Sequence, residues 1–385
     1  MTEAAASASG PLQGLRVIEF AGIGPAPLAC MLLADHGADV VRIDRLEASG
    51  LGLAMAPRDD VNARGRRSLA IDLKQPAGRE AALRLVATAD VLVEGFRPGV
   101  MEKLGLGPEP CQALNPRLVY GRMTGFGQNG PLAAQAGHDL NYLALTGLLN
   151  AIGPAGGAPL PPLNLAADYG GGAMFLAFGV MAALWERQRS GRGQVVDAAM
   201  VDGAAALGSI FWGLSAAGQW QPERGSNLLD GGAPFYACYE TSDGRWMSLA
   251  ALEPKFFAEA AALLELDARF LPRQYDRRLW PELRDAIATA FSRHPQAHWC
   301  ERTAGTDACI APVLSFDEAP RHAHARARGG FVEVDGRLQP APAPRFSRTP
   351  AATPRRAPQV GEQTDALLAD IGLDAAAMRS AGVVR

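Results

Sequence analysis

The chain has 385 residues, of which 48% are hydrophobic and 20% charged, the ordinary composition of a globular protein long enough for two domains and a large buried core. A net charge of −3 and the absence of any Lys/Arg stripe beyond the short cluster Arg64 to Arg67 argue against a nucleic-acid binder. The five cysteines, Cys30, Cys111, Cys238, Cys300 and Cys309, show no CxxC spacing and an odd count, so neither a zinc site nor a disulfide framework is suggested and a reducing compartment fits.

The first eleven residues, MTEAAASASGP, have no basic or apolar signal region and read as a flexible tail. The chain ends in AGVVR and not in the SKL peroxisomal address, so a cytoplasmic location is expected. LRVIEF (15–20) reads as a strand, AGIGPAP as a loop, PLACMLLADHG as a helix stopped by Gly37, and ADVVRID as a second strand: one βαβ unit. GIGPAP with Asp44 about twenty residues on imitates a dinucleotide-binding fingerprint. Pro27 replaces the third glycine, however, and a nicotinamide-dependent enzyme is only a minor alternative. RSLAIDL (67–73), a helix over 77–89, DVLVEGF (90–96) and RLVYGRMTG (117–125) continue the alternation and predict a mostly parallel, doubly wound α/β sheet. Cations recur at its strand ends: Arg42 and Arg45, then Lys74, then Arg97 with Lys103 just beyond. Ligands of such sheets bind there, so these side chains either gather phosphates or form a solvated basic rim.

AGHDLNYLALTG predicts a short helix over 138–148 with His138 at its start, and PLNLAADYGGG places Asp168 before a glycine-rich turn and the apolar run Ala173 to Trp185. That run is too long for a strand and too short to span a bilayer, and reads as a buried helix. Its first turn would carry unpaired N–H groups and the positive end of the helix dipole, and the missing Cβ atoms of Gly170 to Gly172 would let a ligand approach. An oxyanion is expected there. Histidine titrates near neutrality and a poorly solvated carboxylate is pushed toward it, so His138 and Asp168 would exchange protons near pH 7. The plainer alternatives are a capping histidine and an N-cap aspartate.

A strand from Gln194 and a further apolar helix follow, and from about Gln221 a glycine-rich linker leads to FYACYET, Asp243-Gly244 and RWMSLAAL, a hairpin. Glu253 precedes Pro254 at a helix start, where its plain role is a cap or first-turn charge. Helices are expected over 280–291 and 295–305, a strand from Cys309, and a second hairpin in FVEVDGRLQ. An extended proline-rich segment over 340–358 and a last helix over 362–373 complete the chain.

In GLRVIEFAGIGPAP, LLADHGADVVRIDR, RGRRSLAIDLK, VLVEGFRPGVMEKLGLGP, RMTGFGQNGP, AGHDLNYLALTG, PPLNLAADYGGG, SGRGQVVDAAMVDG, LLDGGAPFYACYET and LEPKFF, the chain resembles the alpha-methylacyl-CoA racemases, a branch of the family III CoA-transferase superfamily. The resemblance implies that His138 and Asp168 are the two catalytic bases and that Glu253 orients His138. It implies coenzyme A contacts at Arg45, at Ile71, Asp72, Leu73 and Lys74, at Arg97 and at Lys103, with Gly137, Asp139, Leu140, Asn141 and Tyr142 lying along the bound thioester. The implied fold is a large CoA-binding α/β domain (1–225), a smaller α+β domain (226–335) and a segment returning to the first (336–385), in a homodimer whose chains interlock.

Transferases of the superfamily use the matching aspartate as a nucleophile and lack the histidine. His138 therefore favours proton transfer over the alternative, movement of CoA between carboxylic acids through Asp168. The implied activity is interconversion of (R)- and (S)-2-methylacyl-CoA by two bases through an enolate. No metal or redox cofactor is called for, coenzyme A entering as part of the substrate, and neither a nucleic-acid partner nor a membrane span is expected. Branched fatty acyl, sterol side-chain and arylpropionyl groups would all meet the same apolar surface.

Overall fold

The computed structural model describes residues 9–47, 50, 52 and 55–385. Most of the expected N-terminal tail, residues 1–8, lies outside them. The chain divides into two compact units: the first holds the described residues up to Thr146 with Leu163–Gly208 and Arg326–Arg385, the second Gly147–Pro162 and Ser209–Ala325.

The first unit is built on a six-stranded sheet of β1 (Arg16–Phe20), β2 (Asp39–Asp44), β3 (Arg67–Ala70), β4 (Val91–Glu94), β5 (Val119–Thr124) and β6 (Val195–Ala199). Every pairing is parallel and the order is β3-β2-β1-β4-β5-β6. Strands covered on both faces need near-continuous apolar runs. Val17, Ile18, Val40, Val41, Leu69, Val91 and Leu92 are accordingly inaccessible to solvent. The order reverses between β1 and β4, so the loops leaving these strands flank a crevice at their carboxyl ends. After β1, Gly24 adopts φ +71°, which favours glycine, and Pro25 opens α1 (Pro25–Asp35). Around the sheet stand α2 (Pro76–Ala87), α3 (Val100–Lys103), α4 (Pro108–Leu114) and α5 (Asp139–Leu145).

The arginine cluster is internal. Arg64 forks onto Asp35 and Arg66 pairs with Glu19, with all four side chains 0–2% exposed, while Arg67 holds Asp39. These pairs pin the 62–67 segment to β1 and α1 in place of a basic surface.

The expected buried helix is longer and more exposed than its apolar run suggests. A π-helical segment, Leu165–Met174, continues directly into the α-helix Phe175–Ser190. Leu176, Val180, Ala183 and Leu184 are buried, whereas Phe178 and Trp185 are 74% and 72% exposed. The combined 26 residues are the one stretch among the described residues long and apolar enough to cross a membrane by length and composition. Core helices of globular proteins share that property, and here Arg187, buried near its end, pairs with Asp90.

Residues after the second unit return to the first. The hairpin Phe331–Val334 with Arg337–Pro340 is followed by the extended proline-rich stretch and the helices Thr364–Asp370 and Ala375–Ser380, the latter not anticipated. Leu367, Leu368, Met378 and Val383 join the core with Ile18, Val41 and Leu69, and Val384 bridges to Ile71.

The second unit contains an antiparallel sheet of β7 (Tyr236–Glu240), β8 (Trp246–Ala250) and β9 (Ile310–Pro312), in that order. The Asp243-Gly244 turn joins the first pair, with Gly244 at φ +72°. Helices Pro254–Leu263, Trp280–Phe291 and Gln296–Thr303 accompany it, and its core gathers Phe235, Phe257, Phe270, Phe291 and Trp299.

Candidate active site

Two features of the first unit carry chemistry. The first is a cavity of about 610 Å³ at the carboxyl ends of β2 and β3. Arg45, Ile71, Asp72, Leu73, Lys74 and Lys103 line it together with Phe20 and Phe96. Three strand-end cations, Arg45, Lys74 and Lys103, thus meet in one place with Ile71, Asp72 and Leu73, which the resemblance alone names. Arg97 is exposed beside Phe96 and is not among the lining residues. Arg45 stacks its guanidinium 5.9 Å from the centre of the Phe96 ring.

Beneath this rim, three further charges tie together the elements that carry Arg97 and Lys103. Glu94, inaccessible at the end of β4, accepts from Phe96 N–H at 2.8 Å and from Arg122 Nε at 2.9 Å. Arg122 also reaches Glu102 at 2.8 Å, the neighbour of Lys103. One guanidinium therefore ties the loop bearing Arg97 to the helix bearing Lys103. Burial pushes Glu94 above the usual carboxylate range, and Arg122 and the Phe96 N–H oppose it. A lone charge inside apolar strands such as VLVE and VYGRMT was the available signal, because a buried charge needs a partner.

The second feature is the meeting of α5 with the π-helical segment. His138 is the N-cap of α5, exposed, with extended backbone at φ −136° and ψ 175°. Its N–H donates to Asn141 Oδ1 at 3.1 Å, and its carbonyl accepts from Asn141 N–H at 2.8 Å. The next residue, Asp139, is buried, and its Oδ2 accepts from the N–H groups of Ala167 at 2.8 Å and Asp168 at 2.7 Å. The two acid/base residues, widely separated in sequence, are thereby brought to neighbouring helix starts. Leu140 lies exposed on α5 beside them.

Asp168 is half-buried, and burial raises its carboxyl above the ordinary aspartate range. Asn164, donating at 3.4 Å, pulls the other way; the nearby Asp139 charge raises it and His138 lowers it. Its Oδ2 stands 3.5 Å from where a Cβ on Gly24 would lie, so the start of α1 forms another wall. Asn62 donates to the hydroxyl of Tyr169, the following residue, at 3.0 Å. The ring of Tyr142 fills a slot that only glycines allow: a Cβ on Gly125 would come within 2.2 Å of it, and one on Gly137 within 2.7 Å. Its hydroxyl donates to the carbonyl of Gly137, and burial pushes the phenol up to about 12. Tyr142 is a neutral prop under the turn that presents His138.

Two expectations for this segment are corrected. Gly170 to Gly172 do not form a turn that opens the backbone to a ligand; they lie inside the π-helical segment and admit neighbouring chain instead. A Cβ on Gly171 would sit 2.4 Å from the backbone N of Ala204, and one on Gly172 2.8 Å from Met200, both residues of the helix Met200–Leu207. The first turn expected to face an oxyanion is that of a helix beginning after Asp168; the helical segment instead begins at Leu165, and the N–H groups of Ala167 and Asp168 in it are already bonded to Asp139. Asp168 is also not an N-cap, the place held by Asn164.

Glu253 belongs to the second unit. It is the exposed N-cap of the helix Pro254–Leu263, where its carbonyl accepts from Phe257 N–H at 2.9 Å.

Comparison with known proteins identifies the family. Residues 12–364 match the family described as CoA-transferase family III. The chain is 48% identical to alpha-methylacyl-CoA racemase of Mus musculus and 46% identical to that of Homo sapiens, each time across 94% of this chain and 93% of the relative. A solved CAIB/BAIF family protein from Brucella suis superposes with a TM-score of 0.78 at 26% identity, covering 94% of this chain and 100% of that one.

Proposed function

Because this chain belongs to CoA-transferase family III, we propose that it is a racemase and epimerase that interconverts (R)- and (S)-2-methylacyl-CoA thioesters. The observation that carries this reading is the meeting of His138 and Asp168 through Asp139, in a chain so similar to alpha-methylacyl-CoA racemases. One base removes the α-proton from one face of the thioester, leaving an enolate, and the other delivers a proton to the opposite face. Each is base in one direction and acid in the other. The raised carboxyl of Asp168 suits this exchange, since a base matched to the operating pH both takes and returns a proton readily. The enolate oxygen needs donors other than the N–H groups of Ala167 and Asp168. The N–H groups of Asp139 and Leu140, the first two of α5 beside His138, are the proposed alternative, those of Asn141 and Tyr142 being bonded to the His138 carbonyl.

Coenzyme A is part of the substrate, and the cavity lined by Arg45, Lys74 and Lys103 is its proposed seat, with Arg97 at the rim. Arg97→Ala is expected to raise KM for acyl-CoA about tenfold with little change in kcat, the signature of lost uniform binding. An unchanged KM at low salt would return Arg97 to the solvated surface. The division of labour proposed is that residues 1–225 bind CoA, 226–335 form the smaller domain and 336–385 return to the first.

Glu253 is proposed to orient His138, a pairing that rests on the resemblance alone, the two residues lying in different units. Glu253→Gln should lower kcat at least tenfold and add little to His138→Ala, because residues acting as one unit are strongly non-additive. Additive losses in that double-mutant cycle would leave Glu253 a helix cap.

A homodimer, with its chains interlocked, is also proposed. Apolar surface left open in each unit supports a partner: Phe178 and Trp185 in the first, Ile210 and Trp212 (both 59% exposed) in the second. An active species of monomer mass in sedimentation would contradict it. Five unpaired cysteines suit a reducing, cytoplasmic setting.

The test of function is incubation of one enantiomer of a 2-methylacyl-CoA in D₂O, following deuterium at C2 and chirality together. The expected result is deuterium gain with inversion. Exchange of CoA between two carboxylic acids without deuterium at C2 would establish the transferase alternative, with Asp168 as nucleophile.

A further inference from the structure

We propose that the Asp139 carboxylate is a positioning residue that clamps the peptide of Asp168 to the helix start carrying His138, and so fixes how the two bases face one another. The proposal rests on the two-base reading above.

The geometry is specific. Asp139 is 5% exposed, and one of its oxygens accepts from two consecutive peptide N–H groups, at 2.8 and 2.7 Å. Charge-assisted bonds of this kind are roughly twice as strong as neutral ones. A helix start is ordinarily capped from within its own chain segment, by a side chain at the N-cap. Here the N-cap is Asn164, whose side chain makes no cap bond and instead donates to the Asp168 carboxylate. The cap is supplied across the site by the residue after His138. His138 is itself held by Asn141, so a shift of the α5 start moves one base and releases the other.

The second oxygen adds an independent observation. Asp139 Oδ1 is buried with no hydrogen-bond partner among the described residues, an arrangement that is unfavourable for a group present only as a cap. An asparagine there could accept the same two bonds through one oxygen. What the carboxylate adds is negative charge beside Asp168, and this charge, after burial, helps hold the Asp168 carboxyl high. The other groups acting on Asp168 are His138, Asn164 and Tyr142, with the start of α1 at Gly24. Geometry and charge are thus separable: alanine removes both, asparagine only the charge.

The experiment compares the parent with Asp139→Ala and Asp139→Asn, each given (R)- and (S)-2-methylacyl-CoA in D₂O, with deuterium uptake and inversion measured separately. In Asp139→Ala, inversion should fall on the order of 10²-fold, the scale of a displacement of about 1 Å in a reacting group. Exchange should survive for the enantiomer whose proton His138 removes, so the ratio of exchange to inversion rises for that enantiomer alone. Asp139→Asn should recover much of the inversion. In addition, its acid limb of kcat/KM should move to lower pH in the direction that uses Asp168 as base, because loss of a neighbouring negative charge lowers the carboxyl. A parent-like exchange-to-inversion ratio for both enantiomers in a folded Asp139→Ala chain, even with both rates reduced, would overturn the proposal. If that variant fails to fold, Asp139→Ser, whose hydroxyl is too short to reach both N–H groups, takes its place, and a parent-like exchange-to-inversion ratio for both enantiomers there overturns it. A parent chain that takes up no deuterium at C2 sinks the two-base reading, and the proposal falls with it.

Discussion

Asp168→Asn is expected to lose racemisation by about 10³-fold or more while folding at least as well as the parent at neutral pH. The first part follows from removing one of the two proposed proton carriers, each worth on the order of 10² to 10⁴ in rate. The second follows from linkage. The Asp168 carboxyl is raised in the folded chain, chiefly by burial, so the native state holds its proton to higher pH than the unfolded state does. Stability that the protonated group permits is therefore lost as pH climbs from the unfolded value, about 3.9, through the folded one. An amide does not titrate, and it can still accept from Asn164, 3.4 Å away in the parent. The difference in melting temperature, variant minus parent, should grow with pH across that window and then level off. Thermal unfolding at several pH values, with turnover measured at neutral pH, checks both halves. Equal turnover would remove Asp168 from the chemistry, and a variant less stable than the parent above the window would show that its carboxylate is structural.

Gly203→Ala is expected to cost about 3 kcal/mol, toward the upper end for overpacking, and to lower activity as well. A Cβ on Gly203 would lie 1.8 Å from the carbonyl oxygen of Gly171, a backbone atom that no rotamer change can move aside. The π-helical segment must therefore shift, and Asp168 shifts with it. Gly213→Ala is the control, since a Cβ there meets nothing within 4 Å. Urea unfolding midpoints and kcat/KM for both variants decide the matter. Parent-like stability and turnover in Gly203→Ala would mean that the two helices have room to separate.

The sequence made the scaffold legible because scaffolds are periodic. Apolar runs with β-branched centres marked β1, β2 and β4, and Asp-Gly pairs marked both hairpins. The strand-end rule, reinforced by resemblance, collected Arg45, Lys74 and Lys103 around one cavity. What stayed hidden was contact between backbone and distant side chains, which follows no period. Asp139 reads as the second letter of a helix start, yet its partners are the N–H groups of Ala167 and Asp168. Gly170 to Gly172 read as a turn because glycine usually breaks helices, and close helix packing, the rarer reason for glycine, depends on a glycine of another helix, Gly203. Arg64 and Arg66 read only as part of a short basic cluster until Asp35 and Glu19 are seen beside them.

The stitching of Val384 to Ile71, with Leu367, Leu368 and Met378 in the same core, bears on the chain's birth. Ile71, Asp72 and Leu73 form a wall of the cavity, and Asp72 N–H donates to the carbonyl of Val383 at 2.9 Å. A ribosome releases the strands of the first unit early, but the residues that seal their core arrive only after the whole second unit has been synthesised. The second unit, whose larger segment is the unbroken run Ser209–Ala325, is complete before the closing residues of the first emerge, while the first waits with apolar strands unsealed. Vectorial synthesis therefore finishes the unit it began with last, and that interval is when the nascent chain most needs chaperones to prevent aggregation.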